Sequence, residues 1–365
     1  MNSKSRVLTA VDHKIPDRIP TSMNASPWVL QRLKKKLDVS GDRELMRELG
    51  IDLFDMRGLD IGGKIAPRYV GEPCHRVSPN TWTGNPLPLW GIDQKVVETQ
   101  HGMMYQSQKP PLAEAESVED LESYDWPDPD SFEYDNIPIE LAKWSEFAVL
   151  CSGASVFQHP CFVRGMDKLL MDLTRNPDMA NFLLDKFADF YCEYYSRILE
   201  AAGDMIDLFW IADDFGMQDK LMMSPSHFEE YFVPRLRKLI DMAKSHGAKV
   251  LLHSDGNIRK IIPRLIEIGV DILDPIQPEA KGMEPKGIKK EFGSQLCLRG
   301  GISAQDVLST GSPEDVRGEV KRRIDQLGPG GGYILSPGHP VLQVDIPTEN
   351  IITMYRTVRQ YGKYD

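Results

Sequence analysis

No apolar run in this 365-residue chain approaches the roughly 18 residues needed to cross a bilayer, so no membrane-spanning helix is expected. Cysteine is sparse: Cys74, Cys151, Cys161, Cys192 and Cys297 are scattered, and no CxxC occurs. That pattern argues against a disulfide framework and against a cysteine-only zinc site. Cations are in the minority, 43 Lys and Arg against 54 Asp and Glu, for a formal charge of −11. A general nucleic-acid binder needs a basic footprint, so none is expected. The opening "MNSKSRVLTAVDHKIPDRIP" has neither a continuous apolar core nor a small-residue cleavage site, and we expect a cytoplasmic protein. A dinucleotide fingerprint is missing after the first strand. "GPGGG" at 328–332 lies before a strand, the wrong side for phosphate capture at a helix N-terminus. No repeat of 20–50 residues is visible either.

What remains is an ordinary globular composition, 41% hydrophobic and 27% charged. The length suits two domains or one α/β barrel with insertions. "IPTSM" at 19–23 reads as a strand between prolines, and 27–37 and 42–49 read as helices. Residues 60–112 are rich in Gly and Pro, with alternating segments that predict a β-hairpin insertion. The acidic stretch 117–135 reads as a surface connection. From 147 onward, apolar strand-sized runs alternate with helices. Strands are expected at 147–155, 270–275 and 295–302, and strands running into a polar turn or loop at 205–216, 249–256 and 331–339. Helices are expected at 165–200 with a break at Pro177, and at 225–246, 257–268, 283–292, 313–326 and 346–361. Strands without polar alternation are buried on both faces, which implies a parallel sheet. The expected fold is therefore α/β, a single (β/α)8 TIM barrel over 1–365 carrying the 60–112 insertion. An open doubly wound sheet is the alternative.

Active sites of such barrels lie at the C-terminal ends of the strands. The residues that follow successive strands here are Asp213 and Asp214; His253, Ser254 and Asp255; Asp274 and Gln277; Arg299; and Ser336 and His339. Surface turns are polar as well, so turn chemistry competes with function at each of them. His253 continues the apolar run "KVLL" and belongs at the mouth. Residues i and i+2 of a strand share a side, so His253 and Asp255 can converge, and His339 comes from a later strand end of the same face. Two imidazoles and a carboxylate with an open position make a catalytic zinc site, and the same set suits iron. Asp213 and Asp214 are either paired carboxylates for acid–base work or turn and helix-start residues. Arg299 either binds a substrate carboxylate or phenolate, or pairs with Asp274 on the neighbouring strand.

The segments "RVLTAVDHKIPDRIPT", "IADDFGMQDKLMMSPSHFEEYFVPRLRKLI", "VLLHSDGNI", "LIEIGVDILDPIQPEAKGM" and "GGGYILSPGHPVLQVDIPTENI" resemble the uroporphyrinogen decarboxylase superfamily, in order and over most of the chain. The resemblance implies a (β/α)8 barrel. It also implies one of two activities, porphyrinogen decarboxylation or zinc-dependent methyl transfer with corrinoid proteins. The decarboxylase branch carries an arginine-rich motif after its first strand that binds propionate groups. Here that stretch reads "PTSMNASPWVLQRL", with Arg32 its one arginine. The methyltransferase branch carries His-x-Cys-Gly and a later cysteine as zinc ligands. Here "HSDG" places Asp255, and "SPGH" places His339, where those thiols would stand.

Replacing thiolates by carboxylate and imidazole leaves zinc harder and more electrophilic, better suited to an ether oxygen than to a thiol. The resemblance so adjusted implies the methyltransferase component of an O-demethylase. It would pass a methyl group from a small methoxylated, aromatic donor to the Co(I) corrinoid (cobalamin) of a separate partner protein. Asp213, Asp214 and Arg299 would be the catalytic candidates, and His253, Asp255 and His339 the metal ligands. A decarboxylase or lyase acting on a carboxylated small molecule is the alternative. Barrels of this superfamily often pair, which implies a homodimer.

Overall fold

A computed structural model of the chain describes residues 1–56, 65–99, 102–107, 109–339 and 341–364. Seven strands pair in parallel in chain order: β1 (Leu53–Asp55), β2 (Ala148–Ala154), β3 (Leu208–Ala212), β4 (Lys249–His253), β5 (Ile272–Ile276), β6 (Cys297–Ile302) and β7 (Tyr333–Pro337). The apolar runs place every residue of β5, β6 and β7 in the interior, as strands covered on both faces require. Residues 19–25 join the two edges of this sheet. Thr21 bridges Leu335 of β7 and Ser22 bridges Leu53 of β1, both in parallel. The Asp52 amide donates to Thr21 O at 2.9 Å, and the Leu335 amide to Pro20 O at 2.9 Å. This segment takes the place of an eighth strand and closes the barrel.

Helices follow the strands on the outside. Pro27–Leu37 and Asp42–Leu49 follow the closing segment, and Gln158–Arg164, Met166–Arg175 and Pro177–Ala202 follow β2. Pro313–Leu327 begins with a reciprocal cap in which Ser312 and Asp315 satisfy each other's free amides. Two helices differ from expectation. The one expected at 257–268 begins only at Ile262, because Asn257 donates its amide to Met217 O (2.7 Å) and accepts from the Arg259 amide with its side chain. The one expected at 225–246 widens into a π-type turn at Phe228–Phe232 before continuing as Val233–Ser245.

The inside of the barrel is filled by alternate residues of each strand: Leu53, Leu150, Leu208, Trp210, Leu251, Ile272, Cys297 and Ile334. Val7 and Val11 of the helix Ser3–Val11 join them and plug the N-terminal end. Two residues further along, the same inward parity presents Asp55, His253, Asp274, Arg299 and Ser336, all buried, toward the opposite end. The apolar floor and the polar mouth are thus one alternation read in two layers.

Within the 60–112 insertion, residues 60–64, 100–101 and 108 lie outside the described residues. Among the rest, Gln94–Thr99 and Gly102–Ser107 pair antiparallel. Arg68–Tyr69 pairs with Phe132–Glu133 inside the acidic stretch. Trp90 stacks on Phe187 at 3.9 Å between centroids and fastens this lobe to the helix Pro177–Ala202.

Beneath the barrel, the fully buried Asp52 accepts from Arg6 Nη1 (2.6 Å), Arg18 Nη1 (2.7 Å), Ser3 Oγ (2.8 Å) and the Thr21 amide (3.0 Å). Arg6 also grips both oxygens of Asp17, at 2.6 and 2.8 Å. These contacts tie the plugging helix to the closing segment and β1. The Arg6 guanidinium holds the Asp17 carboxyl well below the usual carboxylate range. A depressed folded-state value stabilises the fold above the ordinary carboxylate pKa of about 4 and is lost as the pH falls below it. Urea unfolding should therefore show wild-type stability falling more steeply than that of Asp17→Asn on acidification below about pH 4. Parallel curves would contradict the assignment.

Candidate metal-binding active site at the barrel mouth

His253 ends β4 on the inward face, with Asp255 beyond it and Asp214 beyond the end of β3. Donor atoms of Asp214, His253 and Asp255 lie within 4.8 Å of one another. The two loops are held together by glycine. A Cβ on Gly216 would lie 2.6 Å from Asp255 O, and one on Gly256, at φ +81°, would lie 2.6 Å from Met217 O. Only glycine permits that approach of backbones.

The imidazole is oriented from behind. His253 Nδ1 is 2.9 Å from Asp274 Oδ2, Asp274 Oδ1 is 2.5 Å from Arg299 Nη1, and Arg299 Nε donates to Ser22 Oγ at 2.8 Å. His253 Nε2 is left facing Asp214 Oδ1 at 3.4 Å and Asp255 Oδ2 at 4.0 Å. The Trp210 ring meets the imidazole edge-on, at 5.5 Å and 80°. Asp214 is itself fixed by the Asp255 amide (2.9 Å) and by Gln158 Nε2 (3.1 Å).

Charge follows this geometry. Burial disfavours the imidazolium, but the hydrogen bonds to Asp214 and Asp274 and the charge of Asp255 override it, holding His253 up at about 10. Burial also works against ionisation of Asp214, yet contact with His253 pulls its carboxyl below the ordinary value. Asp255 is pushed the other way, upward, by burial and by the neighbouring Asp214.

The arrangement fits a divalent cation. Asp255 Oδ1 is buried and has no hydrogen-bond partner. His253 has one nitrogen committed to a carboxylate and the other aimed at two more, the orientation expected of a metal-ligating imidazole. The donors are one nitrogen and carboxylate oxygens, a hard set.

The other residues singled out from sequence fall differently. Asp213, adjacent to Asp214, is fully buried and turned into the start of the helix Gln158–Arg164. It accepts from Ser155 Oγ (2.6 Å) and from the amides of Val156 (2.8 Å), Phe157 (2.9 Å) and Gln158 (2.8 Å). Burial pushes its carboxyl up to about 6 against the pull of those donors. Arg299 is spent on Asp274. His339 is half-buried after β7, with Nδ1 2.9 Å from Val341 O. It stands outside the cluster of three, yet near enough to act electrostatically on Asp214 and Asp255. From sequence, Asp274 stands among the strand-end residues and as an alternative partner for Arg299. The alternation from Ile272 to Asp274 signals its inward position but not its bond to His253. Gln158, which reaches Asp214 from another strand end, has no sequence signal.

The model of the family described as uroporphyrinogen decarboxylase (URO-D) matches residues 97–361, most of the chain and every residue of this cluster. The chain belongs to the URO-D family. Curated relatives include uroporphyrinogen decarboxylase 2, chloroplastic, of Oryza sativa subsp. japonica, 24% identical over 50% of this chain and 43% of that protein. The uroporphyrinogen decarboxylase of Myxococcus xanthus is 26% identical over 46% of this chain and 43% of that protein. This URO-D chain spans about half the length of the curated relatives it matches. A solved structure described as a methyltransferase from Methanosarcina mazei shares the URO-D fold seen here. It has a TM-score of 0.68, 16% identity and 99% of both chains covered. Among the described residues, no helix is long and apolar enough to cross a membrane.

Proposed function

We propose that this URO-D chain is the methyltransferase component of a corrinoid-dependent O-demethylase acting on a small methoxylated, aromatic donor. The observation that carries the proposal is the hard donor set of Asp214, His253 and Asp255 at the barrel mouth. When bound, a metal there, zinc in our reading, supplies Lewis acidity toward an ether oxygen, and the Co(I) of a partner protein's corrinoid supplies the nucleophile for the methyl group. With a metal bound in place of the Nε2 proton, Asp274 would accept the Nδ1–H of His253 and turn Nε2 to the ion, and Arg299 neutralises the far side of Asp274. Gln158 and the Asp255 amide aim Asp214. Val341 engages His339 Nδ1 through its oxygen at 2.9 Å and its amide at 3.2 Å, and we assign the other ring nitrogen, Nε2, to proton exchange with the departing oxygen. A substrate with eight carboxylates wants several cations, whereas Arg299 is already paired and carboxylates dominate the cluster. That favours methyl transfer over porphyrinogen decarboxylation.

The test is anaerobic incubation of the zinc-loaded protein with cob(I)alamin and a panel of methoxylated aromatics, followed by the loss of the Co(I) spectrum. Formation of methylcobalamin with at least one donor is expected. No methylcobalamin with any of them, alongside carbon dioxide release from a carboxylated substrate, would overturn the reading. Asp274→Asn should weaken zinc affinity about 10–100-fold, the usual effect of losing the carboxylate behind a ligating histidine. A competition titration with a chelating dye measures this, and an unchanged affinity would contradict the orienting role.

A further inference from the structure

A second group of metal-ligating side chains lies in the lobe outside the barrel. Donor atoms of Cys74, His75 and Asp125 are within 4.8 Å of one another, and they share no residue with the mouth. Cys74 and His75 are neighbours in sequence, and neighbours on an extended chain point to opposite faces. Here the chain turns. The Cys74 amide donates to Val77 O at 3.0 Å and the Val77 amide to Cys74 O at 2.9 Å, so His75 and Arg76 form the corner of a two-residue turn. His75 sits at φ +50°, in the left-handed region that side chains seldom occupy. That corner brings its ring to the same side as the neighbouring thiol.

The third donor is held independently, on a segment about fifty positions along the chain. Asp125 lies between two anchored aromatics: Tyr124 Oη donates to Trp90 O at 2.9 Å, and Trp126 Nε1 donates to Leu121 O at 2.8 Å. Tyr124 also lies against the His75 ring, with 4.8 Å between centroids. The group is thus assembled on a fixed aromatic frame and not on loose surface chain. The adjacent guanidinium, Arg76, is paired with Asp93 at 2.7 Å, and among the described residues no lysine or arginine pairs with Asp125. Burial and the neighbouring Asp125 push the Cys74 thiol up to about 12, so a cation would displace its proton, and the thiolate and carboxylate would then carry two negative charges that one divalent cation cancels.

We infer that Cys74, His75 and Asp125 form a second, structural site for a zinc-class divalent cation, bracing the 74–77 turn against the 124–126 segment. One sulfur, one nitrogen and one oxygen suit zinc or cobalt, whereas calcium and magnesium want oxygen alone. Binding releases the Cys74 thiol proton to solvent and forms the sulfur–metal bond, with no change of oxidation state. Linking two segments so distant in sequence restricts the unfolded chain, so the lobe gains stability on loading.

Cobalt(II) distinguishes this site from the mouth, because only a cysteine ligand produces thiolate-to-cobalt charge-transfer absorption in the near ultraviolet. The full-length protein, stripped by chelation and loaded with cobalt, should show that band and should bind about two zinc ions per chain when loaded with zinc. Cys74→Ser should lose the band and one zinc. His253→Ala should keep the band and lose the other zinc, so failure of this site and failure of the mouth site are distinguishable. His75→Asn, which tolerates the positive φ, should weaken the band. No band in the wild type at saturating cobalt, or a band that persists in Cys74→Ser, would overturn the inference. Alkylation of wild-type Cys74, located by peptide mass spectrometry, gives a reading that needs no variant. Zinc should suppress the modification, and equal modification with and without zinc would overturn the site.

Discussion

His253→Ala is expected to lose one equivalent of bound zinc relative to wild type and to lower methyl transfer by about 10²–10³-fold or more. The magnitude follows from what the residue does. His253 is the only nitrogen donor in the mouth cluster, and its loss leaves Asp214 and Asp255 as two carboxylates sharing a half-buried site. Lewis-acid stabilisation of a departing oxygen is worth several kcal/mol, and each 1.36 kcal/mol is a factor of ten in rate. The same substitution removes the imidazole between Asp214 and Asp274, so each carboxylate loses its contact with the ring and the two repel across the gap. His339→Ala provides the contrast. With its ring outside the cluster of three, it should retain zinc while turnover falls about 10²–10⁴-fold through loss of proton transfer. Metal analysis beside single-turnover kinetics separates the two. Zinc retained in His253→Ala would remove the metal from this site. Zinc lost in His339→Ala would make His339 a ligand, as its position in "SPGH" implies.

The strand–helix rhythm from residue 147 onward was legible because barrel strands are buried on both faces and therefore read as uninterrupted apolar runs. The inward position of His253 was legible for the same reason, since period-two alternation carries the parity of Leu251 to the mouth. The closing segment was harder to see. The strand expected at 19–23 lies within it, but it touches each sheet edge through single bridges, and nothing in so short a run identifies it as the piece that closes the barrel. Partner choice was the least legible feature. Arg299 faces Asp274 or a substrate depending on whether neighbouring strands bring the carboxylate within reach, and they do. Gln158 and Asp214 meet only because β2 and β3 are adjacent in space.

The doublet Asp213–Asp214 shows how far that limit extends, and it supports a second large effect. Two identical side chains beyond the end of β3 have opposite surroundings. Asp214 looks into the mouth, and Asp213 is buried beneath the loop that follows β2. Asp213→Ala is expected to destabilise the protein by about 3–5 kcal/mol. It leaves one hydroxyl and three amides without their acceptor, and a buried unsatisfied donor costs about 1–3 kcal/mol, less whatever relaxation recovers. Asp214→Ala, at a partly exposed position, should change stability by less than about 1 kcal/mol while removing mouth zinc and activity. Urea unfolding read beside zinc content therefore gives crossed results: stability is lost with Asp213 and metal with Asp214. Some activity should also go with Asp213, because Gln158, which aims Asp214, starts the helix that Asp213 caps. Wild-type stability in Asp213→Ala would mean that the loop finds other acceptors. Zinc loss there without loss of stability would move Asp213 into the metal site. Either outcome would undo the division of labour between these adjacent carboxylates.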